Sequence, residues 1–359
     1  MLPEICLFLA MLGLVAYAVL GGADFGAGFW DLTAGTAHGG ARVRGVIERS
    51  MSPVWEANHV WLIFVLVVLW TCFPVFFASI MSSLYIPLMI AALGIILRGS
   101  AFAVRGQAAT INEARWFGAL FASSSVLVPF AFGTVVGGIA SGRVPVGNAA
   151  ADPWSVWLNP TSIYLGVLAV ALGAYLAAVF LVGDAEKLGE PEMVAAFRRR
   201  ALGSGIVTGA IALGGLLVLR SDARELFDGL IGGMGLVCVL ASALGGVVTI
   251  ALIVTGRYGW ARWTSAVAVA AVVAGWAFAQ SPYLLPGELT LDEAAAPNAT
   301  ITAFLIAVAF GLIVLVPSLV WLYRLALRGD LQGEFHPIDE KFRHKPSADQ
   351  SPHEQGRSS

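Results

Sequence analysis

Charged side chains are scarce in this sequence. Only 12% of its 359 residues are Asp, Glu, Lys or Arg, whereas a soluble domain carries about 25%. Hydrophobic residues make up 58% of the chain, and its mean hydropathy is +0.81. This composition excludes a soluble globular protein of this size and an intrinsically disordered chain.

An excess of basic residues is also missing, and cysteines are few. With 21 basic and 23 acidic residues the formal net charge is −2, so no positive field is available for nucleic-acid phosphates and we expect no nucleic-acid partner. Cys6, Cys72 and Cys238 lie in apolar runs without a Cys-x-x-Cys spacing. They argue against a disulfide framework or a metal site and favour small apolar packing roles.

Long stretches without any charged residue are the main positive signal. A transmembrane helix needs about 20 mainly apolar residues, and the uncharged stretch 57–97 is long enough for two, with a break predicted at residues 81–83. We predict an all-α polytopic membrane protein with nine transmembrane helices over residues 1–328, followed by a polar cytoplasmic tail, 329–359, without a packed core. The predicted spans are 5–28, 54–80, 84–105, 116–139, 162–182, 201–219, 230–254, 263–279 and 300–323.

Basic residues are distributed unequally between the two sets of loops. If the N-terminus lies outside, the inward loops and the tail hold 17 of the 21 Lys and Arg residues and the outward loops hold three, with Arg98 inside a span. Because basic residues are enriched on the cytoplasmic side, this predicts an outside N-terminus and a cytoplasmic C-terminus. The first four residues lack the basic segment of a secretory signal, so we expect the first span to be retained.

Three ionisable residues within the predicted spans stand out, because a charge there is costly and marks a candidate functional site. At 1.5 Å per residue, Asp24 lies about 28 Å from the outer end of span 1, Glu56 about 5 Å into span 2 and Arg98 about 21 Å along span 3. All three depths place them in the cytoplasmic third of the bilayer. Such a cluster suits proton uptake from the cytoplasm, but it could equally serve only to fix three helices in register.

The surroundings of the two acids add further candidates. Gly22 and Gly26 flank Asp24 at a spacing that permits close helix approach, and we favour tight packing there over local unwinding. Beside Glu56, at the start of span 2, stand Asn58 and His59, and His59 shares a helix face with the acid. Trp55 and Trp61 are typical of interfacial aromatics. A bis-histidine haem site would need a second well-placed imidazole, which the spans do not offer.

Several segments resemble the subunit II family of cytochrome bd-type quinol oxidases, in particular its cyanide-insensitive branch. The most specific are GADFGAG at residues 22–28 and PVWEANHVWLI at 53–63. SLYIPL at 83–88, LRGSAF at 97–102, PYLLP at 282–286 and LVPSLVWLY at 315–323 agree with them. The resemblance covers the chain from span 1 to span 9.

The resemblance implies one subunit of a complex in the bacterial cytoplasmic membrane that oxidises quinol and reduces dioxygen to water. Two b-type haems and haem d would be carried by a partner, subunit I, and none by this chain alone. A structural quinone and small accessory subunits are left open. Asp24 and Glu56 match the family's acids linked to proton supply, and Arg98 matches the arginine of its third span.

Two departures from the family pattern and two alternative functions remain. Many members have Asp where this chain has Glu56, and many have a second acid at the position of Gly21. One alternative is a secondary transporter, which predicts polar residues at the bilayer midplane and broken helices in paired repeats. The other is a passive assembly subunit. The location of the ionisable residues near one face argues against the transporter.

The topology is tested by fusing a reporter that is active only in the periplasm to two positions. A fusion after Arg328 should be inactive, because the unequal distribution of basic residues between the loops predicts that this end lies in the cytoplasm. A fusion after Val146, in a predicted outward loop, is the matched control and should be active. High activity of the Arg328 fusion would contradict the predicted orientation.

Overall fold

The computed structural model describes residues 1–36, 39–51, 55–105, 111–148 and 151–328, and the predicted tail, 329–359, lies outside this part. A long N-terminal helix consists of α1 (Leu2–Ala16), a π-helical turn (Tyr17–Gly21) and α2 (Gly22–Leu32). The next helices are α3 (Ala41–Met51), α4 (Trp55–Cys72), α5 (Pro74–Ser83), α6 (Tyr85–Arg105) and α7 (Ile111–Ala140). They are followed by α8 (Pro160–Lys187), α9 (Pro191–Asp222), α10 (Arg224–Leu230), α11 (Gly233–Val254) and α12 (Tyr258–Gln280). A small antiparallel hairpin, β1 (Tyr283–Leu285) and β2 (Leu289–Thr290), precedes α13 (Leu291–Ala294) and α14 (Asn298–Arg328).

The predicted all-α membrane architecture is confirmed. Within the described residues, eight helices are long and apolar enough to cross a bilayer, and the count reaches nine when one bent helix pair is taken as a further span. The observed helices extend beyond most predicted spans, because polar end residues continue the helical hydrogen bonding outside the apolar stretch. Helix α8, for example, begins at Pro160 rather than at residue 162, and the side chain of Asn159 accepts a 2.9 Å bond from the Ser162 amide.

The predicted extent of span 2 and the predicted break after it are wrong. Helix α4 ends at Cys72, and α5 leaves it at an angle of 117°. Pro74 has no amide hydrogen to continue α4, and Phe73 before it has left the helical region with φ −135° and ψ 59°. Residues 81–83 remain helical, and the chain instead turns at Leu84, where φ is −108° and ψ is 24°.

Helix α8 occupies the centre of the molecule and α14 its periphery. In their most apolar windows, 67% of α8 but 0% of α14 is buried inside the chain. The largest cluster of buried apolar side chains runs along α8, with Leu176, Phe180 and Val182 among its members. A second cluster of buried apolar side chains lies near the N-terminal end of α1. In this cluster Cys6 and Cys72 contact each other and pack near Phe73.

Close contact between α2 and α8 depends on small residues. A Cβ built on Gly26 would lie 1.8 Å from the carbonyl oxygen of Gly173, and one on Gly173 would lie 2.8 Å from that of Gly22. The backbones therefore touch, as in other membrane helix pairs with small residues at the interface. Trp30 adds a hydrogen bond from its indole nitrogen to the Ala174 carbonyl, 2.8 Å away. The helix stays continuous here, so the favoured interpretation of tight packing agrees with the structure.

Ion pairs join the segments at the side predicted to face the cytoplasm. Arg44 of α3 pairs with the buried carboxylate of Asp31, with Nε 2.7 Å from Oδ1, and its other nitrogens bind the carbonyls of Thr36 and Gly35. Arg49 donates to Glu190, 2.6 Å away, in the connection between α8 and α9. These contacts fix the polar helix α3 beneath the ends of α2 and α8.

The close approach of α2 and α8 is tested by Gly26→Ala. The added methyl group meets backbone, which cannot move without separating the helices, so we expect a loss of about 1–3 kcal/mol in the free energy of unfolding. Gly209→Ala in α9 is the control, because a Cβ there meets nothing within 4 Å. The measurement is thermal unfolding of the purified protein. Equal stability of the two variants would show that α2 and α8 do not touch at Gly26.

Candidate functional site

A buried carboxylate forms the centre of the candidate site. Asp24 lies in the first turn of α2, directly after the π-helical turn, and only 7% of its surface is exposed. Its Oδ2 atom accepts a 2.5 Å hydrogen bond from the side-chain amide of Asn58 on α4. Removing a carboxylate from water is costly unless hydrogen bonds replace the lost solvation. Asn58, itself 2% exposed, provides one such replacement.

The second component is a guanidinium group at the same level. Arg98 of α6 is 1% exposed. Its Nη2 atom donates a 3.2 Å bond to the backbone carbonyl of Asp24, and its Nε atom donates a 3.1 Å bond to the hydroxyl of Ser125 on α7. One side chain thereby connects α2, α6 and α7. We call Asp24, Asn58, Arg98 and Ser125 the acid–arginine site.

Two aromatic rings hold the guanidinium from its faces. The central carbon of the Arg98 guanidinium is 4.8 Å from the ring centroid of Phe25 and 5.0 Å from that of Phe121. A desolvated cation over an aromatic face gains about 2 kcal/mol. The rings therefore offset part of the cost of burying this charge, and they leave its edge to make hydrogen bonds.

Ser125 is positioned by the backbone around it. Its hydroxyl donates a 2.7 Å bond to the carbonyl of Phe121 and accepts from Arg98. A Cβ on Gly28 would lie 2.2 Å from the Ser125 hydroxyl oxygen, so α2 passes α7 at close range. The glycines after Asp24 thus allow contact on two sides of α2, with α8 at Gly26 and with α7 at Gly28.

The structure brings together most of the residues that the sequence singled out. Asp24, Asn58 and Arg98 share the acid–arginine site. The ring of His59 lies next to it, stacked on Phe25 at a centroid distance of 6.0 Å. The side chains of Glu56 and Trp55 lie outside the described part, although both residues belong to α4.

Other site residues were not found from the sequence. Ser125, Phe121 and Phe25 look like ordinary span residues, because nothing in their local pattern shows that they face Arg98. Tyr17 could have been noticed, since it carries the one hydroxyl group in residues 2–22. Trp61, which its sequence position predicts to be an interfacial aromatic, packs against the buried cluster that includes Tyr17 and Phe25.

A further ion pair lies near the end of α8. Arg262 of α12 donates a 3.2 Å bond to Asp184 near the end of α8, and its guanidinium lies 4.3 Å from the Phe180 ring centroid. Arg262 also interacts electrostatically with Asp24. Charge at this end of α8 and α12 therefore acts on the buried carboxylate.

Metal-ligating residues are few in the described part of the chain. No group of three or more His, Cys, Asp and Glu side chains there could hold a metal ion. The three cysteines are buried and free. His59 is the one histidine among the described residues, so they offer no pair of axial imidazoles.

Comparison with known proteins identifies relatives, one of which is similar over nearly the whole chain. The first is "Cytochrome bd ubiquinol oxidase subunit 2" of Bacillus subtilis (strain 168), 31% identical over 121 residues; the match covers 34% of this chain and only 35% of that protein. A second protein of that organism, "Putative cytochrome bd menaquinol oxidase subunit II", is 22% identical over 326 residues, which cover 87% of this chain and 92% of the relative.

A solved structure has the same fold. A chain of the bd oxidase from Geobacillus thermodenitrificans superposes with a TM-score of 0.70 at 26% identity, covering 90% of this chain and 98% of that one. The family model for cytochrome bd terminal oxidase subunit II matches residues 2–326. The sequence motifs around Asp24 and Glu56 had pointed to the same family, and the chain belongs to the cytochrome bd terminal oxidase subunit II family.

Proposed function

We propose that this chain is the proton-supplying subunit of a quinol-oxidising, oxygen-reducing complex in a bacterial cytoplasmic membrane. Membership of the family already makes it part of an oxidoreductase complex of the bd type. The haems, two of b type and one of d type, would be held by subunit I and would supply the oxygen chemistry. Quinol and dioxygen are the proposed substrates of the complex.

The observation that supports this role is the acid–arginine site. Reduction of dioxygen to water consumes protons as well as electrons, so the complex needs a route for protons through apolar protein. Asp24 is a titratable group in such an interior. It lies towards the side of the membrane that the distribution of basic residues predicts to be cytoplasmic. An ionisable residue in this position is costly and therefore suggests a function.

The contacts of Asp24 suit both of its protonation states. When ionised, the carboxylate accepts from the Asn58 amide and is stabilised by the positive charge of Arg98. When a proton occupies Oδ1, Oδ2 can still accept the same bond from Asn58. Burial opposes the charged form while the guanidinium favours it. Neither protonation state requires the surrounding helices to move.

Arg98 is proposed to act on Asp24 through its charge and through the backbone. It binds the backbone carbonyl of Asp24, so its hydrogen bond to α2 persists when the carboxyl group gains or loses a proton. Phe25, Phe121 and Ser125 keep the guanidinium in place during this change. Arg98 is therefore a positioning residue, whereas Asp24 carries the proton.

Glu56 is proposed as the second proton carrier, from its sequence position alone. It precedes Asn58 by two residues and His59 by three on α4, and the family motif has an acid at this place. Its position near the end of α4 predicts a location closer to the cytoplasm than Asp24. A proton would then pass from Glu56 to Asp24.

A passive assembly role is the second candidate. Arg98 connects three helices, and breaking a buried charged contact costs about 3–5 kcal/mol. A cluster that only locks the helices would lose the assembled complex when altered, together with its haems. Activity per assembled complex separates the two roles.

Asp24→Asn keeps the size of the side chain and removes the titratable proton. We expect oxygen consumption per haem to fall by roughly 10²-fold, in line with the loss of a general acid–base group, while haem content stays normal. Asp228→Asn is the control, because the Asp228 side chain is 54% exposed and pairs with Arg224 on the surface. Wild-type turnover of an assembled Asp24→Asn complex would refute the proton-carrier role.

Glu56→Gln should also slow turnover without loss of haem, whereas Glu56→Asp should keep substantial activity, because it retains a carboxyl group. Glu225→Gln, at an exposed position, is the matched control. The measurement is again oxygen consumption per haem in the purified complex. If Glu56→Gln loses haem along with its activity, the assembly role is the better explanation.

A further inference from the structure

The π-helical turn in the first span places a tyrosine inside the bundle. The turn runs from Tyr17 to Gly21 and ends three residues before Asp24. A Cβ on Gly21 would lie 2.9 Å from the Tyr17 ring, so the ring lies directly over the glycine. Only 7% of Tyr17 is exposed. Single π-helical turns inside α-helices are frequently found at functional sites.

Tyr17 extends the acid–arginine site towards the membrane centre. It lies seven residues before Asp24, about 10 Å further out along the helix. Its ring centroid is 5.9 Å from that of His59 and 6.4 Å from that of Phe25, which also contacts Arg98. Electrostatic interactions couple Tyr17 to both Asp24 and Arg98. A proton moving outward from Asp24 would meet this side chain next on span 1.

The Tyr17 hydroxyl and the indole nitrogen of Trp61 are buried and have no hydrogen-bond partner within the described part of the chain. Trp61 and Tyr17 belong to the same cluster, with Phe25 and Phe132 around them. Buried hydroxyl and indole groups are nearly always paired with protein or with ordered water. A buried water commonly binds two to four such groups.

We propose that the Tyr17 hydroxyl and the Trp61 indole N–H bind ordered water that carries protons from Asp24 towards the membrane centre. This inference rests on the proposed function and adds the step beyond Asp24. The carboxyl O–H of Asp24 breaks as a water oxygen gains the proton, and the resulting carboxylate is reprotonated from the cytoplasmic side. The Tyr17 hydroxyl holds the water by hydrogen bonds and neither gains nor loses a proton overall.

Tyr17 is thus a positioning residue, and its ring and its hydroxyl have separable roles. The ring packs on Gly21, His59 and Phe132, which is a structural role that phenylalanine can fill. Only the hydroxyl can order water. Tyr17→Phe therefore removes the proposed function and keeps the packing.

The test uses the purified, full complex with Tyr17→Phe. We expect oxygen consumption per haem to fall at least about fivefold, the rate equivalent of one lost hydrogen bond, with haem content unchanged. The ratio of rates in H2O and D2O should rise, because proton transfer becomes more rate-limiting; a purely structural role would leave this ratio unchanged. Tyr164→Phe is the matched control, since its hydroxyl bonds the Ala212 carbonyl on α9 at 3.3 Å, away from Asp24.

The outcomes separate the water site at Tyr17 and Trp61 from the proton-carrier role of Asp24. If Tyr17→Phe has wild-type turnover and isotope ratio while Asp24→Asn is slow, the water site is refuted and the proton-carrier role stands. If Asp24→Asn is also normal, both are refuted. Slow turnover with an unchanged isotope ratio would likewise refute the water site. Should Tyr17→Phe fail to assemble, Trp61→Phe decides: slower turnover with a raised ratio supports the site, and wild-type values overturn it.

Discussion

The burial of one arginine charge in the membrane interior is the constraint on which the rest of the site depends. Arg98 is 1% exposed, and an isolated cation there would cost many kcal/mol. The protein surrounds it with two aromatic faces, a serine hydroxyl and a backbone carbonyl, which come from α2 and α7. The packing of α2, α6 and α7 against one another is the structural result of satisfying this single group.

Small residues make that arrangement possible on α2. Gly26 lets the helix touch α8, and Gly28 lets it touch Ser125 on α7, so Asp24 is enclosed between closely spaced backbones. Larger side chains would hold the helices apart and would open the carboxylate to lipid or water. The buried acid is thus carried by a helix whose backbone leaves no room for a Cβ at Gly26.

Polar groups around the acid–arginine site lie at three successive levels along the helices. Ion pairs at the ends of α2, α8 and α12 lie on one side, the acid–arginine site lies inward of them, and Tyr17 with Trp61 lies further towards the centre. Apolar and aromatic side chains separate these levels. Proton transfer from Asp24 to the level of Tyr17 would need water, because the two residues are about 10 Å apart along the helix.

The sequence by itself determined the class of the molecule, the approximate spans, the small-residue contact at Gly26 and the family. Hydropathy and glycine spacing are local, so they can be read without the fold. The signal for the end of α4 at Cys72 was also local, since Pro74 follows two residues later, but the uncharged stretch on both sides of Pro74 hid it. Only the tertiary structure decided that Asn58 bonds Asp24 and that Ser125 and Phe121 hold Arg98. These contacts join residues that are 23 to 34 positions apart and lie on separate helices. Their formation depends on the rotation of each helix about its axis, which packing sets and a span of uniformly apolar residues does not encode.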